Sequence, residues 1–410
     1  MLCLSMYREP PIWTALFILP HRIIGTRQLG KTYIINRFTD EHFKHKIYIN
    51  LEETSGTKFL DCYQRAIHWI PETPRPKAPE FQAHFIITSS IPLQMFSQEY
   101  HFSCGDVTSI SIYPLSFEEF LHSLDQELYN CYLQVDFTDS QIPDFLPLGQ
   151  IKNAYEVYRQ IGGFPEVVLN YLETKNLSSA KLKRQQITNA FITEAARCLP
   201  EITNADILSQ ILQSICYVLC EDKTYTSSAN NLGKIFCHAV KHLPNLTKES
   251  FSETMRWLFL CDIIGFCGLI HEMDILDFQS SVRCYFTDLG IANEFLSYRN
   301  MDTQKTLQTL DETFLYVFLK QRQDFPSEIA FISPALATYH GKEIGYLAQA
   351  LKSRIRYLLE LPDTTTSYES LEVLKEGQIN KVLKLSNEKL TITDNIVHLP
   401  FYLLERYHFI

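Results

Sequence analysis

Eight residues near the amino terminus constrain the fold more than any other stretch of the chain. They occupy positions 25–32, read Gly-Thr-Arg-Gln-Leu-Gly-Lys-Thr, and fit the pattern G-x-x-x-x-G-K-[ST] at every fixed position. An apolar run precedes them and a helical pattern follows, which is the strand–loop–helix context that this pattern requires. With 14 glycines in 410 residues, fewer than one chance match is expected. The stretch therefore predicts an α/β domain built around a phosphate-binding loop.

The chemistry of phosphate binding explains each fixed residue. Gly25 and Gly30 let the backbone curl so that consecutive N–H groups point at phosphate oxygens. Lys31 would reach the β- and γ-phosphates of a nucleotide, and the Thr32 hydroxyl would bind Mg²⁺. The helix that begins near Lys31 places its positive dipole end under the same anion. We therefore expect ATP and Mg²⁺ as cofactors. The predicted nucleotide-binding residues are Gly25, Thr26, Arg27, Gln28, Leu29, Gly30, Lys31 and Thr32.

Composition limits the class of protein. The chain is 46% hydrophobic and 20% charged, as expected of a soluble globular protein with substantial cores. Its net charge of −10 does not support DNA as a partner, although a local basic patch would be compatible with it. The eleven cysteines show neither C-x-x-C pairs nor zinc spacing, which suits a reducing cytoplasm. No run of eighteen apolar residues occurs, so we predict a cytoplasmic protein without a membrane span.

Other local patterns predict further elements. Apolar segments at 47–51, 85–90 and 110–113 are predicted as strands, the first two of them buried. Ser116 is predicted as the N-cap of a helix in which Glu119 completes a capping box. These features have a structural explanation and imply no catalysis.

The order of these pieces resembles one family, the prokaryotic predicted AAA+ ATPases that carry a C-terminal restriction-endonuclease-like domain. The resemblance spans most of the chain and continues beyond the phosphate loop. The stretches that carry it, besides the loop, are INLEE at 49–53, FLD at 59–61, FIITSS at 85–90, YPLSFEEFL at 113–121, YRQIGGFPEVV at 158–168 and YFTDLG at 285–290.

The resemblance implies an α/β architecture of four parts. They are a P-loop ATPase-like (AAA+-like) core at 1–125, a helical lid at 126–204, a winged-helix-like segment at 205–295 and a degenerate nuclease-like α/β domain at 296–410. In the core, Thr88 and Ser90 would stand at the sensor position that reports on the nucleotide.

Local patterns agree with a winged helix. Thr247 is expected to cap a helix, followed by wing strands at 268–271 and 283–286. Charge is sparse on this helix, so we interpret the segment as a packing module rather than a DNA-binding one. The apolar face of the predicted helix consists of Phe251, Met255, Leu258 and Phe259.

The motif for hydrolysis departs from the family. Members carry a strand ending in Asp-Glu, in which the aspartate holds Mg²⁺ through water and the glutamate activates the attacking water. Asp61 matches the aspartate, but Cys62 replaces the glutamate, and a thiol is a poor general base. Only residues 52–58 separate Leu51 from the next strand, which is too short for a parallel crossover. Asp61 and Thr32 are the Mg²⁺ ligands that the resemblance implies, and the place of Asp61 stays open.

The nuclease motif departs as well. The family's Glu-Ile-Asp-Phe matches residues 343–346, where Gly345 replaces the metal-binding aspartate. The Glu-x-Lys position reads Glu360-Leu361-Pro362, with proline in place of lysine. Glu312, in a predicted helix at 310–320 opened by acidic residues, and Glu360 are interpreted as surface or helix-N-terminal carboxylates. We predict that this nuclease site is inactive.

Three functional interpretations follow. The leading one is an ATP-binding AAA+-like protein with weak or absent hydrolysis, acting on a protein partner that the sequence does not identify. The second is an active ATPase that uses Glu52 or Glu53 in place of the missing glutamate. The third is an interaction scaffold with a vestigial nucleotide site, although decay would not be expected to spare Lys31 and Thr32.

Overall fold

The computed structural model describes most of the chain from residue 21 onward. The described residues are 21–48, 50, 86–88, 108–135, 137, 146–199, 203–221, 231–277, 283–297, 302–324, 328–330, 334–362, 367–387, 389–393 and 395–409. They form a mixed α/β structure in which a small parallel sheet and a large mixed sheet are separated in sequence by a run of helices.

The small sheet carries the loop at 25–32, which the sequence pattern predicts to be a phosphate loop. Strand β1 (His21–Ile24) lies between β2 (Ile86–Thr88) and β3 (Thr108–Ser111) and pairs with both in parallel. Helix α1 (Lys31–His42) follows β1 after a six-residue loop. The strand predicted at 85–90 and the helix predicted near Lys31 are thus confirmed within the described residues, and the strand predicted at 110–113 lies about two residues earlier.

The buried strand predicted at 47–51 is wrong where the structure describes it. Ile47 and Tyr48 are in no strand, and their exposed fractions are 89% and 60%. An apolar triplet alone does not define a strand, because a strand also needs neighbours to pair with. Residues 49 and 51 lie outside the described part of the chain.

A helical region follows the small sheet. Helix α2 begins with the predicted capping box, since Ser116 Oγ accepts from the Glu119 amide and the Glu119 carboxylate accepts from the Ser116 amide. The helices of this region are α2 (Phe117–Leu124), α3 (Gln126–Leu133), α4 (Leu148–Ile161), α5 (Pro165–Thr174) and α6 (Leu177–Cys198).

Three helices and three strands follow. They are α7 (Ala205–Glu221), α8 (Asn231–His242), α9 (Lys248–Leu260), β4 (Ile264–His271), β5 (Ile275–Asp277) and β6 (Arg283–Phe286). Thr247 caps α9, and β4 and β6 cover the two predicted wing strands and pair antiparallel. Strand β5, which was not predicted, also pairs antiparallel with β4. Phe259 does not belong to the buried face of α9, because it is 48% exposed beside Phe266 at the margin of that face.

Nine strands of the described chain form the large sheet. Their order is β11-β12-β10-β9-β8-β7-β4-β5, with β6 paired to β4. The C-terminal elements are α10 (Leu289–Leu296), α11 (Thr303–Asp324), β7 (Ala335–Tyr339), β8 (Lys342–Gln349), β9 (Arg356–Glu360), α12 (Ser367–Lys375), β10 (Lys381–Ser386), β11 (Thr391–Ile392), β12 (Ile396–Pro400) and a 3₁₀ helix (Phe401–Arg406). Because β4 pairs in parallel with β7, this sheet crosses the boundary predicted at residue 296.

The described core is continuous across these parts. The larger hydrophobic cluster extends from Ile23 in β1 to Leu399 in β12, so the small sheet, the helices and the large sheet share buried side chains. A smaller cluster lies on the other face of the large sheet, beneath α12. No helix among the described residues has the length and apolar character needed to cross a bilayer.

Candidate functional site

The phosphate loop has a backbone that only glycine permits at its first position. Gly25 follows β1 with φ of 143°, and a Cβ atom there would lie 2.2 Å from the carbonyl oxygen of Ile112. Ile112 itself donates its amide to the carbonyl of Ile24, 2.8 Å away. The residue that follows β3 therefore packs directly on the start of the loop, which fixes where the loop leaves the sheet.

The middle of the loop has backbone conformations that are found in anion-binding loops. Gln28 and Gly30 both have left-handed backbone conformations, with φ of 66° and 77°. Alternation of right- and left-handed residues turns successive N–H groups to one side, which produces an anion-binding nest. Within the described part of the chain, the amides of Gln28, Leu29 and Gly30 donate to no backbone or side-chain acceptor. These residues lead directly into α1, whose N-terminal dipole also favours an anion.

Lys31 is buried beneath the loop. Its Nζ donates to the carbonyl oxygens of Gly25 at 2.7 Å and Thr26 at 2.6 Å. Burial lowers the pKa of Lys31 to about 8, against the opposing effect of the nearby Asp262 carboxylate. A second anion beside this ammonium would therefore favour its charged form. Thr32 lies exposed in the first turn of α1, where its hydroxyl is accessible to a metal ion.

Two variable positions of the loop contact residues that are distant in sequence. Thr26 is buried and its hydroxyl donates to the carbonyl of Asp262, 2.8 Å away in the turn between α9 and β4. The Arg27 guanidinium lies 2.6 Å from the Glu194 carboxylate of α6. The Asp262 carboxylate pairs in turn with Lys320 of α11. The loop at 25–32 is therefore attached to α6 and to the turn between α9 and β4, and through that turn to α11.

The other predicted residues of the core are only partly described. Thr88 ends β2 in register with Ile23, so it lies at the edge of the sheet from which the loop emerges. Ser90 lies outside the described residues. The same holds for the residues of the hydrolysis motif and its substitutes, namely Glu52, Glu53, Asp61 and Cys62. Among the residues that are described, no three His, Cys, Asp or Glu side chains form a metal-binding group.

Gly345 has a structural reason to be glycine. It lies in β8 with φ of 145°, and a Cβ atom there would meet the carbonyl oxygen of Leu359 at 2.5 Å. The register between β7 and β8 also shifts at this point, which marks a bulge. An aspartate side chain therefore does not fit where the nuclease motif would place its metal ligand.

Glu312 is not a surface or helix-N-terminal carboxylate, contrary to the prediction. Helix α11 begins at Thr303 rather than near residue 310, so Glu312 lies well inside it and is only 2% exposed. Arg283 of β6 pairs with Glu312 at 2.9 Å and with Glu343 of β8 at 2.8 Å. The Tyr285 hydroxyl also donates to Glu312, 2.5 Å away. Glu312 is thus satisfied inside the core by an arginine and a tyrosine, and the half-buried Glu343 shares the arginine.

Glu360 is also buried, with an exposed fraction of 4%, so the surface assignment is wrong for this residue too. Its Oε2 lies 3.4 Å from Nζ of Lys384 on the neighbouring strand β10. Lys384 alternates with Leu383 and Leu385, which both belong to the larger core, so it projects to the other face of the sheet. The Glu360 carboxylate is therefore separated by the sheet from the Glu312–Arg283 pair.

Three stretches that carry the family resemblance meet at one junction. Leu115, before α2, donates its amide to the carbonyl of Gly163 and accepts from the Tyr158 hydroxyl, each at 2.8 Å. The Gly163 amide donates to the Asp288 carboxylate, 2.7 Å away. Burial raises the pKa of Asp288 to about 6. A Cβ atom on Gly163 would lie 2.1 Å from the Leu115 carbonyl oxygen, so close packing explains this glycine.

Sequence reasoning missed the partners of the site. Arg283 opens a strand that is otherwise apolar, and Lys384 interrupts an alternating pattern, so each carried a signal of a buried charge. Glu194 and Asp262 carried no such signal, because their contacts with the loop span 167 and 236 residues of sequence.

Comparison with known proteins gives one family match. A family model described as a domain of unknown function (DUF8612) matches residues 152–302, which lie between α4 and the start of α11. No curated protein matches the sequence. The matched region contains Gly163 and Asp288 of the junction, together with Glu194 and Asp262, but it begins after the phosphate loop. The description of this family names neither a ligand nor a reaction.

Proposed function

We propose that this chain is an ATP-binding AAA+-like protein whose site is the loop at 25–32 and whose hydrolysis is weak or absent. The observation that carries the proposal is the loop backbone at 28–30, whose amides have no acceptor among the described residues, next to the buried Lys31 ammonium. Amide donors, a helix N-terminus and a lysine are the groups that hold nucleotide phosphates in loops of this sequence. The residues present therefore fit a bound polyphosphate.

The surrounding sheet supports the same proposal. In open α/β sheets ligands bind outside the carboxyl ends of parallel strands. The loop leaves the carboxyl end of β1, and Thr88 and Ile112 stand at or just beyond the ends of the two parallel neighbours. Thr32 is placed to hold Mg²⁺, which would neutralise phosphate charge, and Asp61 is proposed as the second ligand.

The proposal of slow turnover rests on Cys62. A thiol at the position of the water-activating glutamate removes a general base, and general-base catalysis typically contributes about 10²–10⁴-fold. We therefore expect bound ATP to persist far longer than in an enzyme with the complete Asp-Glu pair.

We also propose that the C-terminal part is nuclease-like and inactive. Helix α11 precedes an antiparallel β7-β8-β9 meander, and β10 then pairs with β9 in parallel after α12, which is compatible with such a fold. The Arg283 guanidinium lies between Glu312 and Glu343, where it satisfies carboxylates that would otherwise be free for a metal. Plasmid and single-stranded DNA should stay intact with Mg²⁺ or Mn²⁺, and cleavage lost in Glu360→Ala would contradict this.

Calorimetry with Mg·ATP tests the proposed binding. Lys31→Ala removes the ammonium that would pair with the phosphates, which should cost roughly 1.5–3 kcal/mol, or about ten- to hundredfold in affinity. Lys44→Ala is the matched control, because Lys44 is an exposed lysine just beyond the end of α1. Equal affinities of the wild-type protein and Lys31→Ala would refute the proposal. Phosphate release by the wild-type protein, measured in the same samples, should be near background.

A further inference from the structure

Two acidic residues distant in sequence, Glu194 and Asp262, lie beside the cationic residues of the loop at 25–32. Glu194 is only 7% exposed and pairs with Arg27 at 2.6 Å. Asp262 pairs with Lys320, and its charge and that of Glu194 both act on Lys31. The loop thus has internal negative charges beside its cations before any phosphate arrives.

We propose that Glu194 and Asp262 form an anionic clasp on the phosphate loop, which the phosphates of a bound nucleotide displace. This inference rests on the proposed nucleotide binding. Arg27 belongs to the loop itself, and a guanidinium pairs equally well with a carboxylate or a phosphate, so the two anions compete for it. A triphosphate also places several negative charges near both carboxylates, in a partly buried site where charges are weakly screened.

Asp262 connects the clasp to the start of β4 and so to the large sheet. This residue has φ of 55°, which is uncommon for a residue other than glycine, so its turn depends on the contacts that hold it. Its carbonyl accepts from the Thr26 and Thr287 hydroxyls, and β4 begins two residues later. Loss of the Thr26 hydrogen bond to this carbonyl would therefore loosen the start of β4, the strand that pairs with β7 in the large sheet.

The clasp also predicts which nucleotides would displace it. Competition with a carboxylate grows with the number of phosphate charges near Arg27 and Lys31. The clasp therefore lowers the affinity for ATP more than the affinity for AMP, and removing it should help ATP most. Only a nucleotide with several phosphates would release β4.

Glu194→Gln tests the clasp, because glutamine keeps the shape of the side chain and its hydrogen-bond acceptor but loses the charge. Calorimetry should show an affinity for Mg·ATP about fivefold or more above that of the wild-type protein, and a smaller gain for AMP. Glu166→Gln is the matched control, since Glu166 is a 49% exposed carboxylate of the same helical region that pairs with Lys183. Its affinity for ATP should not change. Should Glu194→Gln fail to fold, Asp262→Asn makes the same test, because asparagine tolerates a left-handed backbone.

The outcomes separate the clasp from the proposed function. Binding by the wild-type protein with no gain in Glu194→Gln would overturn the clasp and leave nucleotide binding in place. A gain that disappears when Lys31→Ala is added supports both. Absence of binding in the wild-type protein and in Glu194→Gln alike would overturn the proposed function, and the clasp with it.

Discussion

Among single residues, two glycines adopt backbone conformations that other residues would not tolerate. Gly25 and Gly345 have φ of 143° and 145°, and each lies against a carbonyl oxygen of a neighbouring segment. The first allows the phosphate loop to start beside Ile112. The second stands where the resembled family carries a metal-binding aspartate, and the packing of β8 against β9 explains why an aspartate does not fit there.

Gly345→Asp should therefore damage the fold without restoring a nuclease. Its backbone conformation and the Leu359 carbonyl 2.5 Å from the new Cβ should together lower the free energy of unfolding by roughly 2–4 kcal/mol. Gly341→Asp is the matched control, because Gly341 also has positive φ but has open space around it, and roughly 1 kcal/mol is expected there. Urea denaturation measures both. A stable Gly345→Asp protein that cleaves DNA with Mg²⁺ would contradict the assignment.

Contacts of single residues could be predicted from the sequence only where the two partners lie close together in the chain. The capping box of Ser116 and Glu119 and the cap at Thr247 were predicted correctly, because their partners lie within three residues. Glu312 and Glu360 were assigned to the surface, because the arginine and lysine that satisfy them come from other strands. The contacts of Thr26 and Arg27 were likewise invisible, since pairing over such separations is decided by the tertiary fold.

At the scale of elements, helix α2 is held at its start by the C-terminal end of the chain. The amides of Phe117 and Glu118 donate to the Glu405 carboxylate at 3.0 Å and 2.6 Å. These are first-turn amides, which a helix cannot satisfy by itself. The 3₁₀ helix that carries Glu405 therefore acts as a second cap on α2, in addition to Ser116.

This contact predicts a pH dependence of stability. Burial raises the pKa of Glu405 to about 7 from a usual value of 4.5, against the lowering effect of the two amides. Between these values the folded state holds a proton that the unfolded state has lost, so the free energy of unfolding falls as pH rises through this window.

Glu405→Gln isolates this effect, because glutamine does not titrate. From about pH 4.5 to 7.5 the wild-type protein should lose roughly 2–3 kcal/mol more stability than the variant. Urea denaturation of both proteins at several pH values measures the difference, and the titration of other groups, such as Asp288, is common to both. Parallel pH profiles of the two proteins would show that Glu405 does not titrate in this way.

Element boundaries show the same limit of sequence reasoning. Helix α11 was expected at 310–320, where its apolar residues lie, but it begins seven residues earlier with Thr303 and includes an exposed polar turn. The strand expected at 47–51 lacked a partner at the described positions. Apolar patterns thus located the buried parts of elements, whereas their ends depended on packing that a pattern does not contain.

At the scale of the whole molecule, one buried network connects parts that the sequence suggested were separate. Arg283 of β6 pairs with Glu312 of α11 and Glu343 of β8, and β4 continues into the large sheet. Removing one partner from a buried ion pair typically costs about 3–5 kcal/mol, so these contacts resist separation. The attachments of Thr26 and Arg27 bring the phosphate loop into the same body. We therefore expect nucleotide binding at this loop to alter contacts well beyond the small sheet.

The proposed nucleotide site depends on the backbone amides of the loop at 25–32, which would cradle the phosphates. Hydrogen exchange of those amides, measured with and without saturating Mg·ATP, tests it most directly. The amides of Gln28, Leu29 and Gly30 have no acceptor within the described chain, so they should exchange fast alone and at least about tenfold more slowly with ATP. Lys31→Ala should abolish this protection. Unchanged exchange at these three amides, while ATP is demonstrably bound, would contradict the account.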